Sequence, residues 1–440
     1  MKVTDLLNTR PTAPTMLLLL IILLVRPGLA PGDEIPLPGQ NAPIALPGEG
    51  PAENHTDTGF LPTFGGYVEN TLNAEHMTAD DSINTLNNTK VRLNLSGDVA
   101  PFLGFGMGLI GETNAGQRAY HLTAYLPEED EATIPEENRH AYTDEMKKND
   151  VYLQEAFLTL TASTASFRVG RHKFYSGTGY AYNPMDLFNK KDPLDPTYET
   201  RGQDAAMLSL EVSASSELEL TARTDEDHRH VDSQMRLTHY RSGWDLALQY
   251  TRYTDTRVDW EGDGRHVDFT WDLLAAEFSG EIAGVGLHGE GGYAFIDEPE
   301  DPGTLSRAGK DHERFLLGMD YTFEWQLYVL LEYLRFGQGR DDTDEMTLND
   351  RFAYLTGEIL TSNKDTLYLG LTYPVTDLTD ISLYTIVNCN DPSLTLSPWL
   401  EWNAHPGWDV SLSLNIPAGA EDASPGRTGT SGFVRVRYSF

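Results

Sequence analysis

The chain has 440 residues and a formal net charge of -35, from 67 acidic residues against 32 Lys and Arg. A hydrophobic content of 40%, with 21 Tyr and 17 Phe, is too high for a disordered acidic chain, and the acidity argues against nucleic acid as a partner. The single cysteine, Cys389, excludes an intramolecular disulfide framework and any CxxC metal or redox motif. The length fits two or three soluble domains or one large barrel.

The first 30 residues have the pattern of a secretory signal peptide. Lys2 and Arg10 precede an apolar run from Met16 to Val25, and a stretch of small residues ends at Ala30. The run is shorter than the roughly 20 residues of a membrane-spanning helix. We therefore predict a signal peptide over residues 1–30, with the cleavage position and the true start codon left open.

Residues 31–58 are rich in Pro and Gly and show no periodicity. This composition is typical of an extended segment, which we interpret as a periplasmic leader. The alternative interpretation is a plug or a periplasmic docking segment.

From residue 59 to the C-terminus, apolar and polar residues alternate, which predicts β-strands with one apolar face. The residues at odd positions from Phe315 to Trp325, for example, are all apolar or aromatic. Eighteen segments of this kind can be placed, near 62–74, 87–99, 103–114, 151–162, 165–176, 205–213, 217–224, 233–242, 244–254, 267–281, 285–297, 314–325, 326–337, 364–373, 380–390, 392–403, 408–416 and 431–440.

The connections between these segments alternate in length. Tight links such as 100–102, 163–164 and 282–284 alternate with long polar connections such as 75–86, 115–150, 177–204 and 338–363. Short turns at one end and long loops at the other are the organisation of an outer-membrane barrel. We predict a transmembrane antiparallel up-and-down β-barrel of about 18 strands (16–18) over residues 59–440, with a polar lumen. A soluble secreted β-sandwich is the alternative.

The last strand ends the chain at an aromatic residue. Val434, Val436, Tyr438 and Phe440 share one face of it. The segment resembles the C-terminal strand of bacterial outer-membrane proteins. That resemblance implies that Phe440, with Tyr438, is the signal read by the barrel-assembly machinery, and that outer-membrane lipid and lipopolysaccharide surround the barrel.

The third long connection, residues 177–204, carries Asp186, Lys190, Lys191, Asp192 and Arg201. Opposed charges at a narrow point create a transverse field that selects solutes by charge. In general porins, which the chain resembles in the order and length of this loop, the third external loop folds into the barrel as the constriction. The alternative is an ordinary external loop whose charges are solvated.

The strand before this loop holds a dense basic cluster that includes Arg168, Arg171 and Lys173. Arg168 and Arg171 differ in parity, so both face the lumen only if a bulge intervenes, for which Gly170 is the candidate. Otherwise one faces the pore and the other pairs with a carboxylate near the headgroups. We take all three as candidate selectivity residues.

The block from residue 165 to 210 is similar to outer-membrane barrels of the porin-like or alginate-export-like type, which implies an eighteen-stranded channel. Alginate export favours a strongly basic lumen. Basic residues outside this block are scattered and acids dominate, which argues against a polyanionic substrate.

No GxSxG, HExxH, P-loop or EF-hand pattern occurs in the sequence. His228 and His230 lie among aspartates, but no second ligand set with metal-binding spacing accompanies them. We therefore predict no catalytic residues, no metal and no cofactor.

These observations favour an outer-membrane porin-like channel for passive diffusion of small hydrophilic solutes, with loop 177–204 as its filter. An export channel for an alginate-like exopolysaccharide is the alternative, followed by a barrel with an adhesive or hydrolase role. The sequence leaves open whether the protein is a monomer or a homotrimer.

Overall fold

The computed structural model describes residues 62–440, apart from 79, 135–141, 145–147, 226–227, 263, 306, 343–344, 392, 421–422 and 424–427. The predicted signal peptide and leader, residues 1–30 and 31–58, lie outside the described residues. No helix in this described part is long and apolar enough to cross a membrane. The barrel unit comprises Thr58–Leu194 and Thr200–Phe440. Residues Asp195–Glu199 belong to a separate unit, within which the Thr197 hydroxyl donates to Asp195 (2.6 Å).

Within the described residues, eighteen strands form one antiparallel sheet that closes on itself, because the C-terminal strand pairs with the first. In chain order the strands are β1 (Thr63–Met77), β2 (Ser82–Ala100), β3 (Leu103–Gly116), β4 (Tyr120–His121), β5 (Thr143–Asp144), β6 (Asp150–Thr161), β7 (Ala165–His172), β8 (Gln203–Ser213), β9 (Ser216–Thr224), β10 (Val231–Arg241), β11 (Trp244–Val258), β12 (His266–Ile282), β13 (Val285–Asp297), β14 (His312–Thr322), β15 (Tyr328–Phe336), β16 (Asp365–Thr376), β17 (Thr379–Asn388), β18 (Ser393–His405), β19 (Trp408–Ala418) and β20 (Ser431–Ser439). β4 and β5 pair only with each other, and the other eighteen form the barrel. The described helices are α1 (Glu128–Thr133) and α2 (Leu348–Leu355).

The predicted barrel is confirmed, since each of the eighteen predicted segments overlaps one strand of the closed sheet. One connection was predicted wrongly. Residues 75–86 do not form a long loop, because β1 and β2 continue as a paired hairpin to Met77 and Ser82. Side chains of the two strands also bond across this hairpin: the Asn70 amide donates to Asn87 (3.0 Å) and to Thr89 (2.8 Å).

The outward face of the barrel is apolar, as the alternation indicated. Leu317 and Met319 on β14 are each about half exposed, and their even-numbered neighbour Leu316 is fully buried inside. Aromatic residues encircle the rim with the short turns, where Trp325, Trp402 and Trp408 are exposed. An apolar band bordered by aromatic side chains is the surface that a barrel presents to lipid.

The lumenal face is not polar throughout, which corrects the prediction of a polar lumen. On β12 the inward side chains of Val267, Phe269, Trp271, Leu273 and Ala275 are all buried. They pack around Met185, which belongs to the long loop after β7. This part of the wall is apolar because protein, and not water, covers it.

Candidate functional site: the lumen and its inward loop

The loop that follows β7 folds into the barrel, and we call residues 173–194 the inward loop. Three buried carboxylates of the opposite wall accept its backbone N–H groups. Glu277 on β12 accepts from Gly177 (3.3 Å), and Glu290 on β13 accepts from Thr178 (2.9 Å). Glu332 on β15 accepts from Tyr180 (2.6 Å) and Ala181 (2.8 Å). Each carboxylate is almost fully buried, so the loop supplies hydrogen bonds that water cannot.

A histidine also contacts Glu332, the carboxylate that accepts two backbone N–H groups of the inward loop. His288 Nε2 lies 2.8 Å from Glu332 Oε1, and both side chains are buried. The ring of His288 packs edge-on against Tyr180 of the inward loop (5.0 Å between centroids). A Cβ atom at Gly318 would collide with the His288 ring, so glycine at that inward position leaves the space that the histidine needs.

Two glycines allow the loop backbone to approach the wall. Gly177 has φ +90°, which side-chain-bearing residues rarely adopt, and a Cβ atom there would collide with Glu290 Oε2. A Cβ atom at Gly179 would collide with the carbonyl oxygen of Tyr182. The GTG sequence at 177–179 is therefore the segment that brings N–H groups to the carboxylates.

Apolar side chains hold the rest of the inward loop in place. Met185 is fully buried in the β12 cluster, next to Gly292, where a Cβ atom would come within 2.9 Å of its sulfur. Ala181 and Tyr182 pack with Leu316, Leu334 and other inward residues of β14–β16. Full burial of a side chain such as Met185 contributes about 1.5–3 kcal/mol.

Asp186 stabilises the fold of the inward loop and does not face the channel. Its carboxylate accepts hydrogen bonds from the backbone of Ser176 (3.3 Å), Phe188 (3.0 Å) and Asn189 (3.1 Å), and from the Asn189 amide (2.9 Å). Burial raises the pKa of Asp186 to about 6, although these hydrogen bonds oppose the shift. The hydrogen bonds of Asp186 therefore hold the loop backbone in its conformation.

The other charged loop residues differ in exposure. Lys190 is accessible to water but surrounded by protein, which lowers its pKa by desolvation, and Asp255 and Glu358 partly oppose that shift. Lys191 donates from Nζ to the carbonyl oxygen of Gly179 (2.6 Å), so its charge is bound to the loop itself. Asp192 is exposed and accepts from the backbone of Leu194 (2.9 Å).

The structure places Arg168 and Arg171 on opposite faces, because the β7–β8 pairing runs without a register shift past Gly170. Arg168 faces the lumen, where its guanidinium lies 4.8 Å from the Phe157 ring and donates to Thr159 (3.1 Å). Arg171 shares the outward parity of Val169 and forms a two-hydrogen-bond pair with Asp204 (2.9 and 2.6 Å).

Of the two further basic candidates, Lys173 begins the inward loop and Arg201 lies beyond it, shortly before β8. Lys173 is half-buried where the inward loop leaves β7. Arg201 lies over the Tyr152 ring (4.0 Å) and 4.0 Å from Asp150, at the start of β6. The structure therefore does not gather the eight candidate selectivity residues at one point of the lumen.

Several inward-facing arginines of the barrel wall pair with a carboxylate. Arg437 on β20 donates to Glu69 (2.7 Å), and Arg236 on β10 pairs with Glu277 (2.6 Å). Arg92 on β2 reaches past β3 to Glu155 on β6 (3.2 Å). It can do so because the intervening inward positions of β3, residues 104, 106 and 108, are glycines.

The terminal aromatic residues close the barrel seam. The backbone N–H of Phe440 donates to Gly66 (2.9 Å), and the Phe440 carbonyl accepts from Gly66 (3.0 Å). The exposed Phe440 ring lies 6.2 Å from Phe64 and 6.3 Å from Tyr438. Both aromatic residues therefore belong to the outward face at the short-turn rim.

The wall acceptors Glu277, Glu290 and Glu332 were not among the residues predicted from the sequence. Glu332 stands between the inward residues Leu330 and Leu334, and Glu277 between Ala275 and Ser279, whereas Glu290 has His288 and Gly292 as its inward neighbours. An isolated carboxylate in that position is the signal that marks a buried partner. Among the described residues, no group of three or more His, Cys, Asp or Glu is placed to hold a metal ion.

A closed antiparallel barrel with an apolar outward band, an aromatic rim and a loop folded into the lumen defines a porin-like β-barrel. Solved structures similar to it include OccK11 (OpdR) of Pseudomonas aeruginosa, at 12% identity and TM-score 0.49 over 86% of this chain and 96% of that one. A mutant of the Rhodopseudomonas blastica porin is 14% identical, with TM-score 0.44, over 86% of this chain and 100% of that one. No family model and no curated protein matches the sequence.

Proposed function

We propose that the protein is an outer-membrane channel for the passive diffusion of small hydrophilic solutes, with the inward loop as its constriction. The observation that carries this proposal is the clamp, in which Glu277, Glu290 and Glu332 hold the loop backbone inside the lumen. A segment held by buried hydrogen bonds narrows the passage permanently, and the charges left exposed select among solutes.

This function places the barrel in the bacterial outer membrane. The apolar band contacts lipid, the short turns face the periplasm, and the long acidic loops face lipopolysaccharide. In the same proposal Tyr438 and Phe440 present the barrel-assembly signal, the chain works as a monomer or homotrimer, and it has no catalytic role.

Exopolysaccharide export is the weaker alternative. A polyanion needs a continuous surface of free cations, whereas Arg92, Arg236 and Arg437 each pair with a carboxylate from a nearby strand of the wall. Pairing of this kind favours solutes that need no strong binding.

Single-channel recording in planar bilayers tests the proposal. The full chain should conduct, and excising residues 180–190 should raise the conductance because most of the inward loop is removed from the lumen. Excising an equal number of residues between β19 and β20 is the matched control and should leave the conductance nearly unchanged. Absence of current from both the intact and the excised protein would refute the channel, and equal conductance would refute the constriction.

A further inference from the structure

The long loop between β3 and β6 contains a structured segment, residues 120–134, which we call the strap. It consists of β4, a 3-10 turn over Leu122–Tyr125, and α1. Leu122, Leu126 and Ile134 are buried, although they belong to an external loop at the long-loop rim. Burial of three apolar side chains shows that the strap packs on a partner within the barrel unit.

That partner lies across the barrel. The three apolar residues of the strap cluster with Phe352 of α2, which stands in the connection between β15 and β16. Around the eighteen-stranded sheet, β15 is ten strands from β3 in one direction and eight in the other. A contact between loops on nearly opposite sides of a closed barrel bridges its mouth.

The far end of the bridge is an aromatic cluster. Phe352 is fully buried, with Tyr142 stacked on it at 4.9 Å and Trp260, from the β11–β12 connection, at 5.1 Å. Beside this cluster Arg351 of α2 forms an ion pair with Asp130 of α1. Charge and apolar contact together fasten the strap to α2.

Both ends of the bridge are fixed to the barrel. On the near side the Tyr125 hydroxyl donates to Glu75 at the end of β1 (3.0 Å). On the far side α2 begins with a capping box between Thr347 and Asp350, and Arg340 also donates to Asp350 (2.9 Å). The strap therefore spans two anchored points and is not a free loop tip.

We propose that the strap is a second, size-selecting barrier at the long-loop mouth, in series with the inward loop. This inference rests on the proposed channel function, because a barrier has meaning only where solutes pass. Small solutes pass beside the strap, while solutes too wide for the divided opening are excluded before they reach the inward loop. The Asp130–Arg351 pair and the Phe352 cluster set the width of that opening.

The test is polymer exclusion measured from each side of a planar bilayer. Neutral polyethylene glycols of graded size lower the channel conductance when they enter the lumen, so the smallest excluded polymer reports the opening on the side of addition. In the intact protein we expect a smaller cutoff on the long-loop side than on the short-turn side. Asp130→Arg, which places two cations together, should shift the long-loop cutoff to larger polymers and leave the short-turn cutoff unchanged.

A charge swap and an uncharged variant keep the test decisive. Asp130→Arg combined with Arg351→Asp should restore the small cutoff, and Phe352→Ala should enlarge it through loss of the central ring. Equal cutoffs on both sides of the intact protein, or unchanged cutoffs in both opening variants, would overturn the strap proposal. Complete absence of current would instead overturn the channel function on which it rests.

Discussion

At the scale of single residues, the inward loop depends on glycine at position 177. We expect Gly177→Ala to destabilise the barrel, because φ is +90° there and a Cβ atom would displace Glu290 from its bond to Thr178. The backbone conformation alone costs about 1 kcal/mol for a residue with a side chain. The measurement is urea-induced unfolding in lipid vesicles.

The variant Gly243→Ala separates the cost of the backbone conformation from the cost of the collision with Glu290. Gly243 has φ +83°, but nothing lies within 4 Å of an added Cβ atom. Its variant should lose only the conformational part, whereas Gly177→Ala should lose more. Equal losses in the two variants would show that the approach of the loop to Glu290 contributes nothing to stability.

Glu332 is the carboxylate with the most partners in the clamp, since it bonds Tyr180, Ala181 and His288. Glu332→Ala should release the inward loop, because each donor left without a partner costs roughly 1–3 kcal/mol. Lys190 and Lys191 lie in that loop, so limited trypsin digestion after them reports the release. We expect faster cleavage in Glu332→Ala than in the intact protein.

Two further variants serve as controls for that experiment. Glu332→Gln keeps an acceptor oxygen and should be cleaved at an intermediate rate, whereas Glu401→Ala removes an inward carboxylate of β18 and should not change cleavage. If Glu332→Ala is cleaved no faster than Glu401→Ala, Glu332 does not hold the loop.

At the scale of elements, alternation was sufficient to find the strands because one face of each contacts an apolar surface. On β12 the alternation is weak, because the inward Phe269 and Leu273 are as apolar as the outward Leu274 and Phe278. The inward face is apolar there because Met185, more than 80 positions away in sequence, packs on it. Periodicity within a strand cannot show which distant segment will cover it.

The C-terminal strand carries a prediction about assembly. Phe440 and Phe64 face each other at the barrel seam, 6.2 Å apart, and both rings are exposed on the outward face. Both variants lose the contact between the two rings, and Phe440→Ala also loses the contact with Tyr438, so removing either ring should cost only a small amount of stability, slightly more for Phe440. If Phe440 is also the assembly signal, Phe440→Ala alone should lower the amount of folded protein in the outer membrane of cells.

Heat-modifiable migration of the barrel in gels, compared between cells and refolded samples, separates the two effects. Phe64→Ala is the matched control, because it removes the partner ring but leaves the terminus intact. A similar yield of Phe64→Ala and Phe440→Ala in cells would contradict a special role for the terminal residue.

At the scale of the whole molecule, the loop and its charges could be predicted only in part. The order and length of the loop after β7 predicted that it folds into the barrel. Which of its charged side chains are buried or bonded depends on tertiary contacts that leave no pattern in the sequence. The Asp186 carboxylate accepts four hydrogen bonds within the loop, and the Lys191 ammonium donates to the carbonyl of Gly179. Lys190, next to Lys191 in sequence, remains exposed in the enclosed lumen.

The net charge of -35 therefore does not determine the ion selectivity of the proposed channel. Ion selectivity depends on the charges in the lumen that have no ion-pair partner. A paired charge is neutralised by its partner, and the field of a distant charge is screened by salt over about 10 Å at 0.1 M. Arg168 forms no ion pair among the described residues: it donates to Thr159 and lies over the Phe157 ring, and the carboxylates of Glu155 and Glu219 act on it only from beyond ion-pair distance.

We expect Arg168→Gln to shift the zero-current potential in a KCl gradient toward cation selectivity, since a lumenal cation that attracts chloride is lost. The shift should shrink at 1 M salt, where screening acts over about 3 Å. Arg171→Gln is the matched control, since it removes the same charge three residues along β7 from the outward face, where Arg171 pairs with Asp204. An equal shift in both variants would mean that the effect reflects total charge, and that the lumenal position of Arg168 does not govern selectivity.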